Sequence, residues 1–191
     1  MKTVVIVGVG ALGSHLVPLL RNVDASVKVI DFDRVEAKNV LSQFHGKPNV
    51  GKPKVLSLQS TMNFLFGKKI ETVPHKLVEN NATELLGKAD LVIDCLDNGA
   101  ARRIVQGFVR KNNTPCLHGA VDANGSFGRI VWDETFAIDD EDKAGAPTCE
   151  NGEHLTFLSI VASYLAHAAR EFLVKNRKLG YQVSPGGTIL T

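Results

Sequence analysis

The stretch that most constrains this chain is its opening: Thr3-Val4-Val5-Ile6-Val7, followed at once by Gly8-Val9-Gly10-Ala11-Leu12-Gly13. A continuous run of β-branched residues suits a strand buried on both faces of a parallel sheet. The glycines fall in the order G-x-G-x-x-G and open a helical stretch from residue 11 to about residue 21. In that setting Gly8 permits a tight turn, Gly10 lets backbone approach a phosphate, and Gly13 lets helix pack close to strand. The helix N-terminus then offers unpaired N–H groups and a positive dipole end to an anion. A glycine-rich turn without a ligand is the competing reading. Pro18 lies inside the helical stretch and is expected to cost on the order of 3 kcal/mol unless a bend accommodates it.

The alternation continues. Residues 27–30 read as a second strand ending at Asp31, residues 51–66 as a helix, and 70–73 as a weaker strand. A short helix at 83–86 precedes a buried strand at 90–94; residues 100–111 are helical, and 115–121 and 127–132 are strand-like. Such alternation predicts a Rossmann-like, doubly wound α/β fold, with a mostly parallel sheet and helices on both faces. At 191 residues the chain suits one domain. Residues 1–132 are expected to form the nucleotide-binding core. Residues 133–153, with the acidic run Asp139-Asp140-Glu141-Asp142 and then Gly145, Pro147 and Gly152, are expected to form a mobile loop. Residues 154–191 are expected to add a long helix and a tail to the same domain.

A net charge of only +2 gives no indication of nucleic acid or an acidic membrane surface as partner. The opening apolar run is too short for a signal peptide, and a membrane span of ~20 apolar residues is not evident. Cys95, Cys116 and Cys149 are odd in number and widely spaced, which points to no disulfide framework and to a reducing, cytoplasmic compartment. Cys95 and Cys116 sit in strand-like runs and read as small buried side chains. One decoy is set aside: Gly46 to Lys52 has the glycine spacing of a phosphate loop, but Pro53 takes the Ser/Thr place and no strand precedes it.

Asp31, at the tip of the second strand, is placed to accept from ribose hydroxyls. That reading fits NAD and ATP alike. The residues after Asp31 separate the two. Asp31-Phe32-Asp33-Arg34-Val35-Glu36-Ala37-Lys38-Asn39-Val40-Leu41-Ser42-Gln43 resembles the D-x-D-x-V-x-x-x-N-L-x-R-Q block of the ThiF/MoeB/HesA family and of its relatives, the ubiquitin-activating enzymes. Gly51-Lys52-Pro53-Lys54 looks like that family's G-x-x-K segment, and Asp94-Cys95-Leu96-Asp97-Asn98 with Arg102 looks like its D-x-x-D-N-x-x-x-R segment. Pro147-Thr148-Cys149 looks like its loop cysteine, so the matches run in order from residue 4 to about residue 172.

The resemblance implies an ATP-dependent adenylyltransferase that activates a carboxylate, in all expectation a protein or peptide C-terminus. Attack on the α-phosphate expels pyrophosphate and builds negative charge, so catalysis is largely positioning and charge neutralisation. On this resemblance Lys54 binds the phosphates, Asp97 holds Mg²⁺, Asn39 and Gln43 hydrogen-bond around the triphosphate, and Asp31 holds the ribose. Gly8, Gly10, Gly13, Asp33, Asn98 and Arg102 complete the implied nucleotide site. Cys149 is the implied thiol for sulfur transfer or thioester formation, with His154 as a nearby base; the surrounding Asp142, Glu150 and Glu153 would raise its pKa. Bland alternatives stand beside these: a solvated Lys54, a helix cap from Asp97 or Asn98, and an Arg102 that only pairs with a carboxylate. Relatives are dimers, so a homodimer or heterodimer is implied.

Four departures are visible. Ser42 stands where the family block has arginine, which removes a charge worth ~3 kcal/mol of transition-state stabilisation; Arg34 and Lys47 are the candidate substitutes. The N-terminal helix that sends an arginine into a partner's site has no expected counterpart. The paired C-x-x-C zinc motifs of many relatives are missing, which predicts no zinc site. The extra strands with which relatives dock a ubiquitin-like partner are expected to be lacking. A nucleotide-binding module without turnover and an NAD-linked oxidoreductase therefore stay open as alternatives.

Overall fold

Strand β1 (Lys2–Val7) lies between β2 (Ala25–Ile30) and β4 (Leu91–Asp94), parallel to both. That position accounts for its composition. Val4 and Ile6 face one hydrophobic core, while Val5 and Val7 face a second on the opposite side of the sheet, so none of these four can be polar. Each such burial stabilises by roughly 1.5–3 kcal/mol.

The computed structural model describes residues 1–138 and 152–191. Helices α1 (Ala11–Leu19) and α2 (Lys54–Phe66) cover one face, together with the long α5 (Leu155–Lys175). Helices α3 (Glu79–Leu86) and α4 (Gly99–Asn112) cover the other. With β3 (Glu71–Val73), β5 (Cys116–Val121), β6 (Gly128–Trp132), β7 (Tyr181–Ser184) and β8 (Gly187–Leu190), the sheet order is β3-β2-β1-β4-β5-β6-β7-β8. Pairing is parallel from β3 to β5 and antiparallel from β5 to β8. The expected doubly wound, mostly parallel α/β architecture is thus the observed one, with helices on both faces. Chain direction across the sheet reverses between β1 and β4. The crevice beyond those two strand tips is where such folds bind ligands.

Some expectations need correction. Residues after α5 are not a tail: Tyr181 to Leu190 fold as the β7–β8 hairpin, which extends the sheet beyond β6. Tyr181 and Val183 point inward and Gln182 and Ser184 outward, so β7 carries only two core residues, a weak signal by itself. Pro185-Gly186 between the two strands was the legible turn mark. At the start of the expected loop, Asp133–Thr135 forms a 3₁₀ turn and Asp133 is buried. The helix read from residue 51 begins at Lys54, with Gly51 at φ +88° and Pro53 as its N-cap. Pro18 falls in the last turn of α1, which closes at Leu19, and its carbonyl accepts from the Arg21 guanidinium at 2.6 Å. Helix α5 is long and apolar enough to cross a membrane by length and composition, but more than half of it is buried against this domain.

Candidate active site

Gly8 closes β1 in the left-handed region at φ +88°, and a Cβ there would meet the Cys95 carbonyl oxygen at 2.9 Å. Its N–H donates to the Ile30 carbonyl at 2.9 Å, which docks the turn on the tip of β2. A Cβ on Gly13 would come within 1.9 Å of the Gly8 oxygen, so α1 can start this close to β1 only with glycine there. At Gly10 nothing lies within 4 Å; its open side belongs to a cleft of about 690 Å³ beyond the strand tips.

Asp31 leaves β2 beside that turn. One carboxylate oxygen accepts from Val9 N–H and the other from Asp33 N–H, both at 2.8 Å. Burial pushes its pKa up, against the opposing pull of Lys54 and of those two N–H groups. The next segment explains how a lysine more than twenty residues away reaches the site. Arg34 pairs antiparallel with Pro53, the Val35 N–H donates to the Lys52 carbonyl, and the Lys54 N–H donates to the Asp33 carbonyl at 2.8 Å. The first residue of α2 is thereby set next to Asp33, and the Lys54 ammonium pairs with the Asp33 carboxylate at 2.9 Å. Lys54 is 6% exposed, and its buried charge faces the cleft.

Asn39 is buried in the 3₁₀ turn Ala37–Leu41, where its side-chain oxygen accepts from Glu36 N–H at 2.8 Å. Gln43 follows on the cleft wall, and its Oε1 is a buried acceptor with no donor among the described residues. A buried polar atom left unpaired at a cleft is the mark of a group that a ligand or its water completes. Asp97 and Asn98 come from the tip of β4. Asn98 caps α4 by accepting from Ala101 N–H at 2.8 Å, whereas Asp97 stays exposed in the cleft, with a 3.4 Å contact from Asn98 among the described residues. An exposed carboxylate lining the same cleft as a buried lysine suits a hard cation.

Ten of the sequence-predicted residues therefore converge on one cleft: Gly8, Gly10, Asp31, Asp33, Asn39, Gln43, Lys54, Asp97, Asn98 and Arg102. Gly13 acts from behind the turn. Cys149 lies outside the described residues. Arg102 borders the cleft but is spent on structure: it bonds Asp94 and the Gly119 carbonyl at 2.9 Å each, and the Leu96 carbonyl as well. Ser42 is 2% exposed, and its carbonyl meets His15 Nε2 at 3.0 Å. Neither proposed substitute for the missing arginine is among the described residues lining the cleft. Arg34 instead donates to the Gly51 carbonyl at 2.7 Å, and Lys47 sits on a separate 3₁₀ turn; Lys38 and Lys76 are the further lysines on the wall. Cys95 borders the cleft as well, but burial first and the Asp94 charge second push its thiol far up, away from nucleophilic use.

Sequence reasoning passed over two histidines. His45 is 3% exposed, and its Nε2–H donates to the Val9 carbonyl at 3.0 Å while Nδ1 accepts from Ser57 at 3.2 Å. One ring thus joins the glycine turn to α2. Only its isolation after Gln43 marks it in the sequence. Desolvation lowers its pKa to about 4, opposed by the Val9 bond and aided by the charges of Lys54 and His15. An unfolded chain takes up this proton near pH 6.5, whereas the folded one does so only near pH 4. Stability present above pH 6.5 is therefore lost as pH falls toward 4, by roughly 3 kcal/mol from this group. Urea unfolding at pH 7 and 4.5 checks it: His45→Gln should lose less stability between the two pH values than the native protein, and an equal loss would remove His45 as the cause. The second histidine, His118, is fully buried in β5 between Asp94 (2.7 Å) and Asp133 (3.1 Å).

Known proteins are similar to this chain in sequence and in fold. A sulfur carrier protein adenylyltransferase of Thermus thermophilus is 35% identical over 125 residues, covering 62% of this chain and 45% of that protein. A ubiquitin-like modifier-activating enzyme 5 of Caenorhabditis elegans is 27% identical over 148 residues, 70% of this chain and 35% of its own length. The chain thus spans less than half the length of these curated relatives. Among solved structures, E. coli MccB with ATP superposes at a TM-score of 0.79 and 14% identity, over 100% of this chain and 62% of that one. PaaA superposes at 0.77 and 19% identity, over 100% and 64%. At such identities the likeness is one of fold. The ThiF family pattern spans residues 1–184, and the chain belongs to that family.

Proposed function

We propose that this chain binds ATP in the cleft and transfers its AMP moiety to a carboxylate, the C-terminus of a small protein or peptide. A carboxylate oxygen bonds to the α-phosphorus, the bond to the β-phosphate oxygen breaks, and pyrophosphate leaves. The observation that carries this reading is the convergence of Lys54, Asp97, Asn39 and Gln43 on the crevice beside the glycine turn, with Asp31 at its ribose end. Lys54 is a buried point charge aimed where phosphate charge grows. Amide groups of Asn39 and Gln43 supply neutral hydrogen bonds, and Asp97 has the free carboxylate for a magnesium ion. That ion would supply charge neutralisation on the phosphates. Relatives named as an adenylyltransferase for a sulfur carrier protein and as a modifier-activating enzyme support a small protein as acceptor.

One observation favours a second reading. The arginine position holds a buried, uncharged Ser42, so the chain would keep the nucleotide pocket and lack turnover. The same gap leaves a place for a cation from a second subunit, in a homodimer or a heterodimer.

A thermal-shift panel of ATP with Mg²⁺, AMP, NAD and NADP tests the assignment, because a bound ligand raises apparent stability by mass action. MgATP should shift the melting point more than NAD. A larger shift with NAD overturns the reading in favour of a dinucleotide enzyme. Exchange of labelled pyrophosphate into ATP in the presence of an acceptor peptide separates enzyme from binder: a binder gives the shift without the exchange.

A further inference from the structure

We propose that His118 is a positioning residue for the Asp97 loop, acting through Asp94 and Arg102. The proposal rests on the reading of Asp97 as the magnesium-binding carboxylate. Asp97 is an exposed residue of a short loop, and exposed loops of that size move unless their backbone is tied. Here both polar groups of the preceding residue are tied. Leu96 N–H donates to Asp94 at 2.9 Å, and the Leu96 carbonyl accepts from Arg102. On the other side Asn98 is fixed as the cap of α4. Asp97 is therefore held between two anchored neighbours.

The anchor itself depends on a charge cluster of which Arg102 borders the cleft, while Asp94, His118 and Asp133 are not among the described residues lining it. Asp94 is 0% exposed, and a buried carboxylate is tolerated only when its oxygens are paired. One oxygen takes Leu96 N–H; the other takes Arg102 at 2.9 Å and His118 Nδ1 at 2.7 Å. The opposite ring nitrogen of His118 faces Asp133 at 3.1 Å and the Cys116 sulfur at 3.5 Å, so the ring bridges the two carboxylates. Asp133 in turn is gripped by Arg110 at 2.8 Å and Gln106 at 3.0 Å from α4. Burial raises the Asp133 carboxyl, but these bonds outweigh it and hold the group below the ordinary range. Phe136 stacks on the imidazole at 4.0 Å and 7°, which fixes the ring's plane. His118 is not among the described residues lining the cleft, so its effect reaches the Asp97 loop indirectly, through Asp94 and the Arg102 that Asp94 holds. Without it, Asp94 loses one of the two donors on that oxygen, and Arg102 is drawn from the Leu96 carbonyl toward the carboxylate.

The test compares the intact protein with His118→Gln, Arg102→Lys and Asp97→Asn. Amide hydrogen exchange at Leu96 and the half-saturating Mg²⁺ concentration for ATP binding are measured on each, with metal-free AMP affinity as control. In His118→Gln and Arg102→Lys we expect rapid exchange at Leu96 and an approximately tenfold higher Mg²⁺ requirement, with AMP affinity unchanged in His118→Gln. Protected Leu96 and an unchanged Mg²⁺ requirement in both variants overturn the proposal. Arg102→Lys keeps the charge, so it decides the matter if His118→Gln does not fold. Should Asp97→Asn leave the Mg²⁺ requirement unchanged, the magnesium reading of Asp97 fails, and exchange at Leu96 alone judges the positioning role.

Discussion

Lys54→Ala is expected to abolish most of the ATP-induced rise in melting temperature and to lower pyrophosphate exchange by about 10²–10³-fold. Removing one donor preorganised for developing charge costs about 3–4 kcal/mol of transition-state stabilisation in comparable sites. Two features put Lys54 at the upper end of that range. The side chain is 8% exposed, so its charge acts with little solvent screening. It also retains donors while paired with Asp33, because an ammonium has three and that carboxylate takes one. Fold stability should hardly change. Asp33 is about half exposed (49%) and is solvated once its partner is gone, which limits the value of the pair itself. The contrast between an unaltered apoprotein and a missing ATP response is what identifies a binding residue. Equal ATP shifts in Lys54→Ala and the native protein would exclude Lys54 from the site.

How much of this was legible in the sequence depends on the range of the interactions. Strand β1 and the glycine turn were readable because local chemistry dictates both: only an apolar run suits a strand with cores on each side, and only glycine permits the approach at Gly8 and Gly13. Lys54, Asn39 and Asp97 were readable through family order, not through periodicity. What the sequence could not give was the division of labour among them. Asn98 and Arg102 stand in the same motif as Asp97, yet one caps α4 and the other ties Leu96 to Gly119. Their bland alternatives describe the geometry well. The buried network of Asp94, His118 and Asp133 joins two strands and a 3₁₀ turn that are distant in sequence. No local pattern encodes such a contact, although a histidine within the apolar strand 115–121 was a visible irregularity. Arg34 and Lys47 failed as substitutes for the missing arginine for the same reason: proximity in sequence did not place either on the cleft wall.

The glycine turn supports the second large prediction, a contrast between two alanine substitutions three residues apart. Gly13→Ala should destabilise the fold by about 3 kcal/mol or more, at the upper end of overpacking effects. Its methyl group would lie 1.9 Å from the Gly8 carbonyl oxygen and 3.0 Å from the carbonyl carbon, and both are backbone atoms that no rotamer change can move. Gly8 cannot yield easily either, since it is held at φ +88° with its N–H bonded to the Ile30 carbonyl at 2.9 Å. Gly10→Ala has nothing within 4 Å and should fold to within roughly 1 kcal/mol of the native protein. Its cost appears elsewhere: the methyl group projects into the space where phosphate must approach backbone, so ATP affinity should fall while the melting point of the apoprotein holds. Chemical unfolding measures the first effect and ATP titration the second. A stable Gly13→Ala would mean that helix and strand do not pack as described. Native ATP affinity in Gly10→Ala would mean that the phosphates do not cross this turn, and the helix N-terminus would lose its part in the proposed chemistry.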